Sequence, residues 1–135
     1  MIGVLLVTHG AIGEELLATA TQILGMPATR AAALSVNSAH DPAAVLAQAR
    51  ALAAQLDDGS GVLVLTDMYG STPGNVVRGL LADGRVEGVA GLSLPMLVRV
   101  LSGRDRTLAA AVQRALSGGT EGVVHMNPDR CRAAG

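Results

Sequence analysis

The 135-residue sequence has no lysine, tryptophan or phenylalanine, and Tyr69 is its one aromatic residue. Without lysine, neither a Schiff-base lysine nor the lysine of a P-loop is available. The 10 basic and 11 acidic residues give a net charge of −1. The sequence therefore lacks the basic footprint and the aromatic stacking platforms typical of nucleic-acid-binding proteins. We expect no nucleic acid among its partners.

Cysteine is also scarce, because Cys131 is the only one. A single cysteine excludes an internal disulfide and a metal site of clustered cysteines. The first ten residues, MIGVLLVTHG, lack the positive segment of a signal peptide and are too short to span a bilayer. We expect a cytoplasmic protein with no direct membrane insertion, no metal ion and no other cofactor.

Half of the residues are hydrophobic, and small or aliphatic side chains must form the core. Apolar runs predict strands at 2–7, 31–36, 61–66 and 86–92. Helical spacing and cap residues predict helices at 14–24, 42–56, from Thr72, at 95–101 and at 107–116, the last one ended by Gly118 and Gly119. Alternating strands and helices predict one α/β domain, an open three-layer sandwich with a mainly parallel four-stranded sheet in the order 2-1-3-4. A short fifth strand is predicted at 122–125.

Polar residues follow the first and third predicted strands. Open α/β sheets bind ligands at the carboxyl ends of their strands, where the strand order reverses. If the first and third strands are neighbours, His9 and Asp67 lie roughly 5 Å apart. A carboxylate that accepts the Nδ1 proton fixes the imidazole tautomer and leaves the Nε2 lone pair as a nucleophile.

The turn after Asp67 has the composition of an anion site. Ser71 or Thr72 is expected to cap the following helix, with Pro73 in its first turn. Free backbone N–H groups and the positive end of the helix then favour a phosphoryl group. We hypothesise a nucleophilic His9, an orienting Asp67 and a phosphoryl site of Gly10, Gly70, Ser71 and Thr72. Each feature alone also fits a purely structural role, and their convergence at one sheet edge favours the functional one.

Three motifs in this order resemble those of one protein family. They are Thr-His-Gly at 8–10, the pattern D-x-[WY]-G-x-[ST]-P-x-N at 67–75, and Pro-Met-Leu at 95–97. The chain resembles the mannose-type IIA components of the bacterial phosphoenolpyruvate-dependent sugar phosphotransferase system. The resemblance runs to about Met126, which implies a IIA domain over 1–126 and a polar tail over 127–135.

The resemblance implies a phosphotransferase that works between proteins. His9 would accept a phosphoryl group on Nε2 from the carrier protein HPr and pass it to a histidine or cysteine of a IIB partner. Asp67 would hold Nδ1, and Ser71 and Thr72 would line the phosphoryl site. The resemblance also implies a homodimer, in which the fifth strand is exchanged in some members. The chain departs from the family where Ser71 replaces a frequent glycine and Gly74 a frequent larger apolar residue.

Several alternatives use the same fold. A phosphocarrier subunit of a dihydroxyacetone kinase has a related domain. A histidine phosphatase needs arginine before its histidine, where this chain has Thr8. A metal chelatase would join His9 to a second histidine or glutamate on a neighbouring loop. His40 follows the second strand and fits either a neighbour of the site or a surface loop residue, and His125, near the end of the last predicted strand, fits a structural role.

A further alternative is a regulatory protein that binds its partner differently when His9 is phosphorylated. Arg99, Arg104 and Arg106 fit either a partner surface or ordinary solvated charges. Met68 and Met96 fit either a docking role near the site or a place in the core.

Overall fold

The computed structural model describes residues 1–127 as strands and helices that alternate along most of the chain. The elements are β1 (Gly3–His9), α1 (Ile12–Leu24), β2 (Ala31–Val36), α2 (Pro42–Leu56), β3 (Val62–Thr66), α3 (Thr72–Leu80), β4 (Val86–Ala90), α4 (Leu94–Leu101) and α5 (Leu108–Glu121). The eight residues beyond 127, including Cys131 and most of the predicted tail, lie outside the described part.

The four strands form one sheet in the order β2-β1-β3-β4, and each neighbouring pair is parallel. Val7 of β1 pairs with Leu34 of β2 on one side and with Thr66 of β3 on the other. The predicted order 2-1-3-4 is therefore confirmed. Because the strands run the same way, their last residues meet at one edge of the sheet, here called the carboxyl edge. Helices α1 to α4 begin at this edge and run back toward the opposite one, the amino edge.

The side chains of β1 alternate between two cores. Val4 and Leu6 pack with residues of α1, α4 and α5, whereas Leu5 and Val7 pack with residues of α2 and α3. All four are fully buried. Each aliphatic side chain buried in this way contributes about 1.5–3 kcal/mol relative to exposure. The sheet is thus covered by helices on both faces, which explains why the β1 sequence is continuously apolar.

The end of α5 differs from the prediction that Gly118 and Gly119 stop the helix. The helix continues to Glu121, and Gly122 is its C-cap. A Cβ placed on Gly118 would lie 3.1 Å from Cα of Met96, and one on Gly122 would lie 2.5 Å from Cβ of Pro95. These glycines allow α5 to approach α4 closely. Gly118 is thus a packing residue of the α4–α5 pair, and the helix ends at Gly122 instead.

The predicted fifth strand at 122–125 does not form within the described chain. Residues 123–127 have no strand conformation and join no pairing of the sheet over residues 1–127. Val123 and Val124 are 83% and 65% exposed. An exchanged form of this strand would need a second copy of the chain, and it stays a prediction.

Arg104 is buried at the amino edge, so its assignment to a partner surface or to solvated charge is wrong. Its guanidinium donates to the carbonyl oxygens of Ile2, Thr29 and Arg30. Its own carbonyl accepts from the Ile2 N–H at 2.9 Å. The side chain ties the α4–α5 loop to the residues just before β1 and β2. Arg99, by contrast, is half-buried and bonds to Glu121 and Ser117.

Candidate functional site

His9 is the last residue of β1, at the carboxyl edge of the sheet. The preceding residue, Thr8, is fully buried, and its Oγ1 accepts a hydrogen bond from the Gly13 N–H at 2.9 Å. Thr8 therefore satisfies one of the free N–H groups in the first turn of α1, whose N-cap residue Ala11 makes no side-chain cap. Gly10 turns the chain between strand and helix with a φ of +47°. The Thr-His-Gly motif includes Thr8, but the motif does not indicate that the Thr8 side chain caps the start of α1.

The structure brings His9 and Asp67 into direct contact. The Nδ1 atom of His9 lies 2.8 Å from Oδ2 of Asp67. The backbone N–H of His9 donates to the same oxygen at 3.2 Å. The histidine side chain is 45% exposed, whereas that of the aspartate is 14% exposed. Nε2 of His9 makes no hydrogen bond with residues 1–127, so the ring is anchored at one nitrogen and open at the other.

The environment of Asp67 favours its ionised form. Burial raises the pKa of its carboxyl group, but hydrogen bonds from the His9 ring, the His9 backbone and its own N–H outweigh burial and hold the pKa below 3.8. An ionised carboxylate only accepts hydrogen bonds. Nδ1 must therefore carry the proton of the shared bond, and Nε2 of the neutral ring keeps its lone pair.

The first turn of α3 follows Asp67 after four residues. Ser71 is the N-cap, and its Oγ accepts from the Gly74 N–H at 3.3 Å and donates to the Met68 carbonyl at 2.6 Å. The single hydroxyl proton of Ser71 is thus used within the loop. Thr72 is exposed, and its hydroxyl makes no hydrogen bond with residues 1–127. Of the two hydroxyls predicted to line the site, that of Thr72 is the available one.

Glycine at 70 allows the tight turn that leads into α3. Gly70 has a φ of +78°, and no atom lies within 4 Å of where its Cβ would be. At Gly74 a Cβ would lie 3.0 Å from the Met68 carbonyl oxygen. The absence of a side chain at Gly74 therefore lets the helix fold back tightly onto the loop that carries Met68.

The other two histidines are not part of this arrangement. His40 is exposed in the loop after β2, and within residues 1–127 its ring bonds only to Asn37. His125 lies beyond the end of α5. Over residues 1–127, no group of three or more His, Cys, Asp or Glu side chains is placed to hold a metal ion. The ligand set that a metal chelatase needs is therefore not assembled in this part of the chain.

Exposed apolar side chains lie close in sequence to His9 and Asp67. Tyr69 is 81% exposed and Met68 58% exposed, both in the loop after Asp67. Ile12, three residues after His9, is 48% exposed. Met96, by contrast, belongs to the core at 3% exposure. Within residues 1–127, no helix has the length and apolar composition needed to cross a membrane.

Comparison with known families gives one match that covers most of the chain. The model of the family described as "PTS system fructose IIA component" matches residues 3–116. The "PTS system mannose-specific EIIAB component" of Escherichia coli K12 is 32% identical over 125 residues. That alignment covers 90% of this chain and 38% of the relative, and the protein of the same description from Shigella flexneri gives the same figures. The chain thus spans well under half the length of these relatives.

Solved structures share the fold. The phosphotransferase system component EIIA from Streptococcus agalactiae is 25% identical with a TM-score of 0.81, over 93% of this chain and 97% of that one. The IIA protein associated with the fucose utilization operon of Streptococcus pneumoniae is 27% identical with a TM-score of 0.75, over 91% of each chain. The mannose/sorbose-specific IIA subunit from Enterococcus faecalis, at 24% identity, reaches a TM-score of 0.83 over 93% and 95% of the two chains.

Proposed function

The chain belongs to the family of mannose- and fructose-type IIA components of the phosphotransferase system, and from this premise we propose that His9 is its phosphoryl carrier. IIA components of this system are phosphotransferases. In our proposal His9 accepts the phosphoryl group from HPr and passes it to a IIB protein. The contact of 2.8 Å between Nδ1 of His9 and Oδ2 of Asp67 is the observation that carries the proposal.

The geometry suits nucleophilic attack by Nε2. Asp67 holds the Nδ1 proton, so the Nε2 lone pair is free to form a bond with phosphorus. As the new N–P bond forms, the bond between phosphorus and the donor histidine breaks, and the donor ring takes back its electron pair. The positive charge that develops on the His9 ring is stabilised by the adjacent carboxylate, which stays ionised.

The start of α3 is the proposed binding site for the phosphoryl oxygens. The peptide dipoles of a helix favour negative charge at its N-terminus, and the first-turn N–H groups have no partner within the helix. The hydroxyl of Thr72 is free to donate, and the turns at Gly10 and Gly70 place no side chain in the way. Ser71 supports this site indirectly, because its hydroxyl shapes the loop.

The partners proposed for this chain are inferred from the family to which it belongs. HPr is the proposed donor, a IIB component the proposed acceptor, and the cytoplasm the proposed location of the exchange. The curated relatives named as mannose-specific EIIAB components are much longer than the matched region. A IIB partner of this chain would serve either sugar uptake or a regulatory relay. The proposal also includes a homodimer.

The test is the intact mass of the protein after incubation with phosphoenolpyruvate, enzyme I and HPr. We expect one acid-labile phosphoryl group on the wild-type protein and none on the His9→Ala variant. His40→Ala is the matched control, because His40 is exposed and bonds only within its own loop. This control variant should be labelled like the wild type. An unlabelled wild-type protein, with the same donors active on another IIA protein, would refute the carrier function.

A second measurement separates relay from regulation. Phosphorylated protein is mixed with a mannose-type IIB protein, and the loss of label is followed. Transfer to IIB supports the relay. A partner that binds only one phosphorylation state and takes no label would instead favour the regulatory alternative, since phosphohistidine changes the local charge.

A further inference from the structure

One carboxylate oxygen of Asp67 receives no hydrogen bond from another residue. Oδ2 accepts from both the backbone N–H and the ring of His9, whereas Oδ1 is buried and accepts from no other residue of 1–127. The large majority of buried side-chain polar atoms have a partner, either from the protein or from ordered water, because desolvation without one is costly. Oδ1 of Asp67 therefore needs a donor within the site itself.

The hydroxyl of Thr8 has a proton without an acceptor. Thr8 is fully buried, and its Oγ1 accepts from the Gly13 N–H at 2.9 Å. A threonine hydroxyl can donate one hydrogen bond as well as accept, but within residues 1–127 this one donates to no acceptor. A Cβ on Gly13 would lie 3.0 Å from Oγ1, so the glycine lets α1 lie close against the hydroxyl. The contact with α1 fixes the position of Oγ1 and leaves its proton for another partner.

The sheet places Thr8 and Asp67 beside each other. The pairing of β1 with β3 ends at Val7 and Thr66, so Thr8 and Asp67 follow these residues at the same level of the two strands. Neighbouring strands lie about 5 Å apart, and residues at the same level of parallel strands project to the same face. The bond to Gly13 shows that Thr8 projects toward α1. Asp67 follows on the same face, so one water molecule can span the gap between its Oδ1 and the Thr8 hydroxyl.

Thr66 is a second buried hydroxyl near Asp67. It precedes Asp67 by one residue, is 3% exposed, and its Oγ1 has no hydrogen-bond partner within residues 1–127. Thr66 pairs with Val7, whose side chain packs in the core formed with α2 and α3. Because side chains alternate along a strand, Thr66 and Asp67 project to opposite faces of the sheet. Thr66 therefore offers a matched control for Thr8, since it is the same residue type, similarly buried, on the other face.

We propose that Thr8 is a positioning residue of the site, whose hydroxyl donates to Oδ1 of Asp67 through one bridging water molecule. The two atoms make no direct hydrogen bond, and a water that bridges two polar groups is nearly as favourable as a direct bond. Thr8 then connects the first turn of α1 to the carboxylate, which holds Nδ1 of His9 with its other oxygen. A donor to Oδ1 fixes the plane of the carboxylate and favours its ionised form. This inference rests on the proposed function, because the ring that Thr8 positions is the proposed phosphoryl carrier.

The test compares Thr8→Val, which has the same shape without the hydroxyl, with Thr8→Ser, which keeps the hydroxyl. Transfer from phosphorylated HPr is followed by rapid quenching over a range of donor concentrations. We expect Thr8→Val to lower the rate constant at saturating donor on the order of tenfold, because it loses a hydrogen bond to an ionised group. The donor concentration that gives half of the maximal rate should not change, because Thr8 is buried and contacts no partner. Thr8→Ser and the control Thr66→Val should stay within about threefold of the wild-type rate, since neither removes a donor to the carboxylate.

A double-mutant cycle with Asp67→Ala separates this role of Thr8 from its capping of α1. If Thr8 acts through the carboxylate, Thr8→Val should change the rate little once Asp67→Ala has removed both oxygens. Loss of the cap alone would slow transfer by the same factor in both backgrounds. Nitrogen NMR of the His9 ring gives a readout that needs no donor protein. Thr8→Val should raise the fraction of the tautomer protonated at Nε2, and Thr66→Val should leave that fraction unchanged.

The outcomes separate this inference from the proposed function. A wild-type protein that HPr does not label at all refutes the function, and the kinetic role of Thr8 with it. A labelled wild-type protein, with additive effects in the cycle and an unchanged His9 tautomer in Thr8→Val, leaves the function standing and overturns the inference. If Thr8→Val does not fold, diffraction from crystals of the wild-type protein decides the question. A bridging water or a direct hydrogen bond between Thr8 Oγ1 and Asp67 Oδ1 supports the proposal, and the absence of both overturns it.

Discussion

Replacing Asp67 by asparagine removes the charge beside His9 while keeping the size of the side chain. The carboxylate makes a hydrogen bond of 2.8 Å to Nδ1, which is in the range of charge-assisted bonds. Such bonds contribute about 1.5–3 kcal/mol, so their loss in the transition state slows transfer by about 10- to 150-fold. The amide can also donate to Nδ1, which would favour the tautomer with a protonated, non-nucleophilic Nε2. That effect can only add to the loss, so we expect at least a tenfold decrease.

The assay is rapid quenching of the transfer from phosphorylated HPr, with the rate constant measured at saturating donor to separate chemistry from docking. Asp83→Asn is the matched control, because it makes the same substitution at an exposed residue far from His9. Nitrogen NMR of the His9 ring measures the tautomer independently. If folded Asp67→Asn transferred within twofold of the wild-type rate, the role assigned to the carboxylate would be wrong.

Two further predictions concern the support of the site. Ser71→Ala removes the N-cap of α3 and should cost about 1 kcal/mol in the free energy of unfolding, measured with urea. It should slow phosphorylation of His9 less than Asp67→Asn does, and an equal loss would mean that Ser71 contacts the phosphoryl group directly. The second prediction concerns pH. The pKa of Asp67 is lowered in the folded chain, so its stabilising contribution is present above the ordinary pKa of an aspartate and is lost as pH falls through the folded value. The difference in Tm between wild type and Asp67→Asn should therefore shrink as pH falls from about 5 to below about 4, and a difference that persisted at lower pH would contradict this prediction.

Most of the fold follows from the sequence because its two central strands, β1 and β3, are buried on both faces. A continuous apolar run such as that of β1 is stable only between two layers of helices, and the segments between the runs have helical periodicity. The predicted end of α5 was wrong because glycine ends a helix in one context and permits close packing in another. Glycine stops a helix when it provides a left-handed C-cap, as Gly25 does after α1 with a φ of +69°. Gly118 has the same composition signal but instead permits contact with Met96, which depends on tertiary packing and is invisible in the local sequence.

The pairing of His9 with Asp67 was predictable because strand order and strand ends place both residues at one edge. Which of Ser71 and Thr72 is the N-cap of α3 was not predictable, because either residue could have filled that position. The choice depends on which hydroxyl reaches Met68 and Gly74 once the loop has folded.

The backbone geometry at His9 explains why the site and the sheet depend on the same carboxylate. β1 extends to His9, but the pairing of β1 with β3 ends at Val7 and Thr66. Beyond that point the Gly10 N–H donates to Val36 of β2, whereas the His9 N–H, on the β3 side, donates to Oδ2 of Asp67. The carboxylate thus takes the place of a missing carbonyl of β3 and, with the same oxygen, holds the ring. Because Oδ2 of Asp67 accepts from both the backbone and the ring of His9, the orientation of the ring is tied to the register of β1 on β3. If the ring turned away, Oδ2 would keep only the hydrogen bond from the backbone.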